Sequence, residues 1–173
     1  MTEEEKVILV NESDEQLGLM AKMEAHEKGV LHRAFSVFLF NDKKELLLQR
    51  RAVTKYHSPG LWTNTCCSHP RNGENVMEAA NRRLMEEMGI MAELEQKFSF
   101  IYHAELDQNL IEHELDHVLI GNFNGTPLLN PEEASEWKFL NLEDVKKDVS
   151  TSPNDYTEWF KICLDRVILN VEN

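Results

Sequence analysis

The stretch ENVMEAANRRLMEEMGI, residues 74–90, carries a clear helical pattern. Its apolar side chains recur at steps of three and four, at Val76, Met77, Ala80, Leu84 and Met88. That spacing places them on one face of a helix, and the glycine at position 89 is typical of a helix end. The pattern therefore predicts a helix from Asn75 to Met88 with one buried face.

The polar face of this helix carries two pairs of opposite charge. Arg82 and Glu86 are four residues apart, and so are Arg83 and Glu87, so each pair meets on the helix surface. One interpretation is a solvated face with two ion pairs. The other is a carboxylate array for Mg²⁺, a cation that prefers oxygen ligands and commonly shares them with the phosphates of a substrate.

Strands and further helices flank this helix along the chain. The predicted strands are Ala34 to Phe40 and Glu45 to Arg51, joined as a hairpin, then Phe98 to Leu106, Leu110 to Phe123 and Glu136 to Leu140. The predicted helices are a short one from Asn141 through Val145 and a terminal one from Tyr156 to Val171, while Lys55 to Asn72 is predicted to be irregular. No repeat or linker interrupts this order. The sequence therefore predicts one α/β domain over residues 1–173, with helices packed on a mixed sheet.

The charge of the chain limits its partners. Its 173 residues include 18 Lys and Arg against 31 Asp and Glu, a formal net charge of −13. Such acidity disfavours binding to nucleic acid or to anionic membranes, because that affinity depends on basic residues. A small anionic substrate remains compatible, because between Lys22 and Arg83 basic residues outnumber acidic ones by 11 to 6.

Three features of the sequence concern the compartment. Met1 to Lys6 lack the basic and apolar regions of a signal peptide, and no apolar stretch is long enough to span a bilayer. The three cysteines form no CxxC pair. We therefore expect a reduced, cytoplasmic protein with free thiols.

The segment from Trp62 to Pro70 is the most distinctive part of the irregular region, because it contains Cys66, Cys67 and His69. Taken alone, buried cysteines beside an aromatic ring are commonly packing residues, and a loop histidine is commonly held by a hydrogen bond. Both interpretations stay open until the neighbouring groups are considered.

The strand from Leu110 to Phe123 supplies such neighbours. Its period of two puts the carboxylates of Glu112, Glu114 and Asp116 on one face. Three carboxylates on a strand that flanks the core are costly to bury unless they are paired or bind a metal ion.

Histidines are available to complete a mixed nitrogen and oxygen metal site. The predicted ligands are His26, His32, His69, Glu112 and Glu114. Imidazole together with carboxylate suits Mn²⁺, Zn²⁺, Fe²⁺ or Mg²⁺ better than a soft ion that prefers sulfur.

The helix and the loop before it resemble a Nudix box, the loop–helix–loop of enzymes that process diphosphates. The match is partial, because Ser68 stands where the consensus opens with glycine. Arg83 stands where the first glutamate of its Arg-Glu-x-x-Glu-Glu core is expected. Nudix hydrolases assemble metal ions on several carboxylates to activate water, whereas an arginine at that position would bind phosphate.

Across nearly the whole chain, from about Val7 to the helix of Trp159, the sequence resembles the type I isopentenyl-diphosphate isomerases, the metal-dependent, flavin-free branch of the Nudix superfamily. The motifs that carry this resemblance are Lys22 with His26, LHRAFS at 31–36, QRRA at 49–52, PGLWTN at 59–64, CSHP at 67–70, Arg82-Arg83 with Glu86-Glu87, and EHE at 112–114. One departure is Ser58, where an aromatic residue is usual.

The resemblance implies a single Nudix domain, with its core at about residues 30–165 and its mixed sheet sandwiched between helices. It also implies the interconversion of isopentenyl diphosphate and dimethylallyl diphosphate in isoprenoid biosynthesis, carried out by a monomer or homodimer. The implied metals are Mg²⁺ bound with the diphosphate through Glu87 and the backbone carbonyl of Cys67, and Mn²⁺, Zn²⁺ or another divalent ion at the His/Glu site.

The residue roles that the resemblance implies fall into two groups. Glu114, with Tyr102 hydrogen-bonded nearby, would deliver the proton, Cys67 would act as thiolate base from the other face, and the indole of Trp159 would stabilise positive charge. The diphosphate would be bound by Lys22, Arg51, Lys55 and Arg83, with Arg82 as a further candidate.

Two other functions remain as alternatives to an isomerase. One is a Nudix hydrolase of nucleoside diphosphate derivatives, against which Arg83 argues. The other is a non-catalytic module that binds metal or phosphate, against which the combination of Cys67, His69, Glu112 and Glu114 argues. Trp159 also has an ordinary interpretation as a core residue, because it lies in the apolar stripe of the last helix.

Overall fold

A computed structural model describes residues 5–172. Met1 to Glu4, part of the segment considered for a signal peptide, lie outside these residues. Within it, nine strands form one mixed sheet and four α-helices pack around the sheet. The strands are β1 Lys6–Val10, β2 Gln16–Ala21, β3 His32–Phe40, β4 Glu45–Arg51, β5 Trp62–Thr63, β6 Cys66–Ser68, β7 Leu94–Glu105, β8 Ile111–Asn122 and β9 Ala134–Asn141. The helices are α1 Lys22–Lys28, α2 Val76–Met88, α3 Leu142–Thr151 and α4 Glu158–Glu172.

The centre of the sheet is the parallel pair β3 and β8, in which His32 lies opposite Glu114. Strand β7 runs antiparallel along the other edge of β8. Strands β1, β6 and β4 pair in turn with β3. The predicted hairpin is therefore short: β3 and β4 pair at Phe40 and Leu46, and β4 then continues with β9 and β5.

Helices cover both faces of the sheet, as predicted. Alternate residues of β3, such as Phe35 and Val37, pack with the buried side of α2. The residues between them, such as Phe38, pack with the buried side of α4 around Phe160. Because side chains alternate along a strand, the even-numbered residues of β3 and β8 share the face of α4. That face carries the polar groups described below.

Helix α2 begins and ends as its sequence predicts. The Asn75 side chain accepts a hydrogen bond from the amide of Glu78, and the Glu78 carboxylate accepts one from the Asn75 amide. Gly89 ends the helix in the left-handed conformation, with φ of 63°. A Cβ atom there would come within 2.9 Å of the carbonyl oxygen of Leu128, so the position also needs glycine for space.

The predictions missed several short elements and misplaced some ends. Strands β1 and β2 and helix α1 were not predicted, and β5 and β6 lie inside the segment predicted to be irregular. Strands of two or three residues are too short to display a period. Strand β7 starts earlier than expected, at Leu94, α3 extends to Thr151, and α4 begins after Tyr156. No helix in the described part of the chain is long and apolar enough to cross a membrane.

Candidate active site

The five predicted metal ligands converge at one place. One ligand atom from each of His26, His32, His69, Glu112 and Glu114 lies within 4.8 Å of all the others. Four of these residues are buried, and His69 is partly buried. The grouping that the sequence predicted is therefore present.

The sheet register explains this convergence. Glu114 lies opposite His32 on one neighbouring strand and opposite Tyr102 on the other, so all three side chains meet on the same face. His69 follows β6 and reaches the same carboxylate, with its Nε2 atom 2.7 Å from Oε2 of Glu114. His26 arrives from helix α1 and places its Nε2 atom against Oε1 of Glu112.

Backbone carbonyls fix the orientation of two of the imidazoles. Nδ1 of His26 lies 2.7 Å from the carbonyl oxygen of Lys22, and Nδ1 of His32 lies 2.9 Å from that of Val30. A carbonyl only accepts hydrogen bonds, so each Nδ1 carries the proton that it donates. Nε2 of both rings therefore faces the two glutamates.

Charge in this cluster is balanced between the acids and the imidazoles. Burial and the neighbouring Glu114 act to raise the pKa of Glu112, but His26 and His57 hold that pKa below its ordinary value. Burial also opposes ionisation of Glu114, yet His32 and His69 hold its pKa well below the ordinary value. Burial acts to lower the pKa of His32, but Glu114 raises it overall.

These residues fit a divalent ion. Nε2 of His26 is a buried atom that contacts Glu112 without forming a hydrogen bond to any described residue. A buried nitrogen left without such a bond is costly unless another partner, such as an ion, accepts its lone pair. Three imidazoles and two carboxylates are a donor set for a transition metal of borderline character.

A cleft opens beside the cluster and is lined by most of the predicted functional residues. It is lined by Glu5, Lys22, Phe35, Ser36, Arg51, Lys55, Tyr56, His57, Cys67, Ser68, His69, Arg83, Glu112, Glu114, Glu133 and Trp159.

The four predicted diphosphate-binding cations all line this cleft, and three of them are held by carboxylates. Nζ of Lys22 lies 2.8 Å from Glu5, and Nζ of Lys55 lies 2.8 Å from Glu133. The Oε2 atom of Glu133 that accepts from Lys55 also lies 3.1 Å from Nη2 of Arg83.

The fourth cation, Arg51, donates to the backbone carbonyls of His57 and Ser58, at 3.1 and 3.2 Å. Its guanidinium carbon lies 5.3 Å from the centre of the Trp159 ring. Arg51 therefore orders the loop after β4 and also faces the indole.

The two charge pairs on α2 have different surroundings. Arg82 and Glu86 meet at 3.3 Å on the outer surface, as a solvated pair would. Arg83 instead binds Glu87, which is only 4% exposed and also accepts from Gln49 and Cys66. Glu87 is not one of the described residues that line the cleft. Its assignment as a Mg²⁺ ligand therefore stays a prediction.

Cys66 and Cys67 face opposite sides of the sheet. Cys66 is fully buried with the core on the side of α2, whereas Cys67 lies on the side of α4 and lines the cleft. Burial raises the pKa of the Cys67 thiol, an effect that Arg51 opposes. All three cysteines of the chain are free, as expected.

Tyr102 and Trp159 support the floor and wall of the site. The Tyr102 hydroxyl donates to Oε1 of Glu114 and lies 3.4 Å from Oε2 of Glu112. The indole nitrogen of Trp159 donates to Oδ1 of Asn64 at 3.3 Å, which fixes the ring while it lines the cleft. Trp159 is thus both a core residue and a residue of the cleft, so its two interpretations are compatible.

Sequence reasoning missed four residues of this region: Glu5, Tyr56, His57 and Glu133 all line the cleft. They lie in loops or beside an unpredicted strand, where no period marks a buried face. The signal available in the sequence was the position of Tyr56 and His57 directly after Lys55.

The fold places the chain in a known class. A family model described as NUDIX domain matches residues 30–160, and the chain belongs to that family. The crystal structure of DR0079 from Deinococcus radiodurans is similar with a TM-score of 0.75, at 21% identity, covering 91% of this chain and 96% of that one. The MutT protein from Methanosarcina mazei Go1 has a TM-score of 0.66 at 19% identity, covering 83% of this chain and 96% of that one.

Curated relatives indicate which group within the Nudix family the chain belongs to. An isopentenyl-diphosphate Delta-isomerase 2 of Aromatoleum aromaticum is 53% identical over 165 residues, which cover 95% of this chain and 87% of that protein. The isopentenyl-diphosphate Delta-isomerase of Pectobacterium atrosepticum is 46% identical over 162 residues, or 94% of this chain and 90% of that protein. Within the Nudix family, the chain therefore belongs with the isopentenyl-diphosphate Delta-isomerases.

Proposed function

We propose that this chain interconverts isopentenyl diphosphate and dimethylallyl diphosphate by adding one proton and removing another. The observation that carries the proposal is the convergence of Cys67 and Glu114 with four cationic side chains in a single cleft. The names of the curated relatives support the same reaction. The reaction supplies an isoprenoid precursor, and we place it in the cytoplasm, carried out by a monomer or homodimer without nucleic acid.

The diphosphate binds where Lys22, Arg51, Lys55 and Arg83 line the cleft. These groups supply the positive charge that a chain of net charge −13 otherwise lacks. Substrate oxygens take the place that Glu5 and Glu133 hold in the structure. Mg²⁺ bound with the diphosphate is assigned to Glu87, which contacts Arg83 directly.

Isomerisation needs an acid and a base on opposite sides of the five-carbon chain. A proton added to the terminal alkene carbon of isopentenyl diphosphate leaves positive charge at the tertiary carbon. Loss of a proton from the neighbouring methylene then forms the new double bond, so atoms and charge balance. We assign these transfers to Glu114, hydrogen-bonded to Tyr102, and to Cys67, with the roles exchanged in the reverse direction.

Trp159 stabilises the positive charge between the two proton transfers. An indole face without a carboxylate against it attracts a cation by roughly 2 kcal/mol when water is excluded. A carboxylate in the same position would instead trap the cation. The hydrogen bond to Asn64 keeps the ring in place.

The His/Glu cluster holds a divalent ion of the Mn²⁺ or Zn²⁺ type through His26, His32, His69, Glu112 and Glu114. When bound, the ion withdraws electron density from its carboxylate ligands and holds them in one geometry. Tyr102 keeps one oxygen of Glu114 turned toward its own hydroxyl, and His69 and His32 engage the other oxygen.

The test incubates the protein with isopentenyl diphosphate in D₂O with Mg²⁺ and Mn²⁺. We expect dimethylallyl diphosphate and incorporation of deuterium, and we expect Cys67→Ala and Glu114→Gln to remain folded but lose both. Absence of product and of exchange in the wild-type chain would overturn the proposal. Phosphate release from nucleoside diphosphate derivatives would favour a Nudix hydrolase instead.

A further inference from the structure

His57 is a buried histidine of the cleft that neither the five-ligand set nor the predicted substrate contacts include. It lies in the loop between β4 and β5 and is 4% exposed. Its Nε2 atom lies 3.1 Å from Oε1 of Glu112, the same oxygen that contacts His26. A second imidazole is therefore directed at one oxygen of a predicted ligand.

The position of His57 is fixed on several sides. Its carbonyl accepts from Nη2 of Arg51 at 3.1 Å, and its Nδ1 atom lies 3.2 Å from the hydroxyl of Ser58. Its ring packs edge-on against Tyr56 and Trp159, with centroids 4.5 and 5.8 Å away. Ser58 itself adopts a left-handed backbone conformation, with φ of 49°, and its amide donates to Asp107. So many contacts define a single orientation of the imidazole.

The hydrogen-bond partners determine what His57 can do. A hydroxyl can donate to Nδ1, which leaves the proton on Nε2, the atom that lies 3.1 Å from the carboxylate of Glu112. Of the other groups near that carboxylate, His26 contacts the same oxygen, and Tyr102 lies 3.4 Å from the opposite one. A donor held in this way prevents rotation of a carboxylate that must present an oxygen to an ion.

We propose that His57 is a positioning residue that orients Glu112 for metal binding from outside the five-ligand set. The proposal rests on the proposed function only in treating the His/Glu cluster as a metal site. It also links that site to the substrate side of the cleft, because Arg51 and Trp159 both contact residue 57.

The test measures binding of Mn²⁺ alone to the metal-free protein, with free ion followed by electron paramagnetic resonance. His57→Phe keeps a ring against Trp159 but removes the donor, and we expect Mn²⁺ affinity to fall by about tenfold or more. His57→Gln retains an amide donor, and we expect it to recover most of the affinity. His103→Phe is the matched control, since His103 is exposed on β7.

The outcomes separate the proposal from a packing role. Unchanged Mn²⁺ affinity in the Phe variant, or equal losses in the Phe and Gln variants, would overturn it. Thermal unfolding of each metal-free variant checks folding, and if the Phe variant does not fold, His57→Asn replaces it, because its shorter amide does not reach Glu112. Because no substrate is added, a failure to isomerise isopentenyl diphosphate would leave this result unaffected.

Discussion

Nε2 of His69 lies 2.7 Å from Oε2 of Glu114, although the two residues are 45 positions apart in the chain. The contact joins the segment that carries Cys67 to the central strand β8. His69, a proposed metal ligand, is therefore in direct contact with Glu114, which is proposed both to bind metal and to transfer a proton.

Substitutions of Glu114 and Cys67 should separate metal binding from proton transfer. We expect Glu114→Gln to lower the affinity for Mn²⁺ by about tenfold or more, because a ligand charge and the partner of two histidines are lost. Cys67→Ala should bind Mn²⁺ as tightly as the wild-type chain while losing isomerisation. Competition with a chelator of known affinity measures both. A Cys67→Ala protein with weakened metal binding would contradict the separation.

Tyr102→Phe removes the hydroxyl that donates to Glu114 and leaves the ring in the core. Because hydrogen bonds to charged groups contribute about 1.5–3 kcal/mol, we expect kcat to fall by about 10- to 100-fold with little change in KM. Tyr156→Phe is the control, since its hydroxyl donates to Asp148 instead. Steady-state rates with isopentenyl diphosphate decide the matter, and equal effects of the two substitutions would count against the role of Tyr102.

Glu133→Gln should increase the affinity for inorganic diphosphate in the presence of Mg²⁺. One oxygen of Glu133 neutralises both Lys55 and Arg83, and the incoming anion must displace it. We expect a gain of about two- to tenfold, in line with the modest free energy of partly exposed ion pairs. Glu136→Gln, which affects an exposed pair with Arg50, is the calorimetric control. Weaker binding in the Glu133 variant would mean that this carboxylate holds the two cations in place.

Glu74 provides a pH-dependent contribution to stability that lies away from the metal ligands. The hydrogen bond from Arg82 lowers the pKa of Glu74 below its ordinary value of 4.5. A lowered folded-state pKa stabilises the protein above the unfolded value, and this contribution disappears as pH falls through the folded value. We expect Glu74→Gln to be less stable by about 1 kcal/mol or less at pH 7.

Urea denaturation at pH 7 and near pH 3 tests this linkage. The difference in unfolding free energy between the wild-type chain and the Gln variant should be smaller at the lower pH, since Glu74 is protonated in the unfolded chain there and its lowered folded-state pKa no longer adds as much stability. The same substitution at Glu93, an exposed residue, should have little effect at either pH. A Glu74 difference that persists undiminished at pH 3 would rule out the ionic origin.

The sequence was sufficient to predict the metal ligands at the centre of the site, but not the residues around them, such as His57. Glu112 and Glu114 were assigned to one face because a strand has a period of two, and His26, His32 and His69 were added because imidazole and carboxylate groups together suit a divalent metal ion. His57 could not be assigned in this way. It lies in a loop whose backbone is held by hydrogen bonds with Arg51 and Asp107. No local sequence pattern predicts such contacts.

Long-range pairing explains the other omissions. Strands β3 and β4 pair over only a short length because β6 pairs with β3 beside them. Strand β6 was not predicted, since a segment of three residues carries no periodic pattern. Glu133 meets Lys55 only because β4 and β9 pair across more than 80 positions of sequence. Helix α2, in contrast, was predicted nearly to the residue, since its caps and its apolar face are all local.

The ligand cluster draws on α1, β3, the loop after β6, and β8, so its donors span the chain from His26 to Glu114. An unfolded chain cannot bring these groups together, and an ion that binds only the folded form adds RT ln(1 + [ion]/Kd) to its stability. At a free concentration of about 100 times Kd this amounts to about 2.7 kcal/mol. An ion bound by this cluster would therefore act as a reversible cross-link between these four parts of the fold.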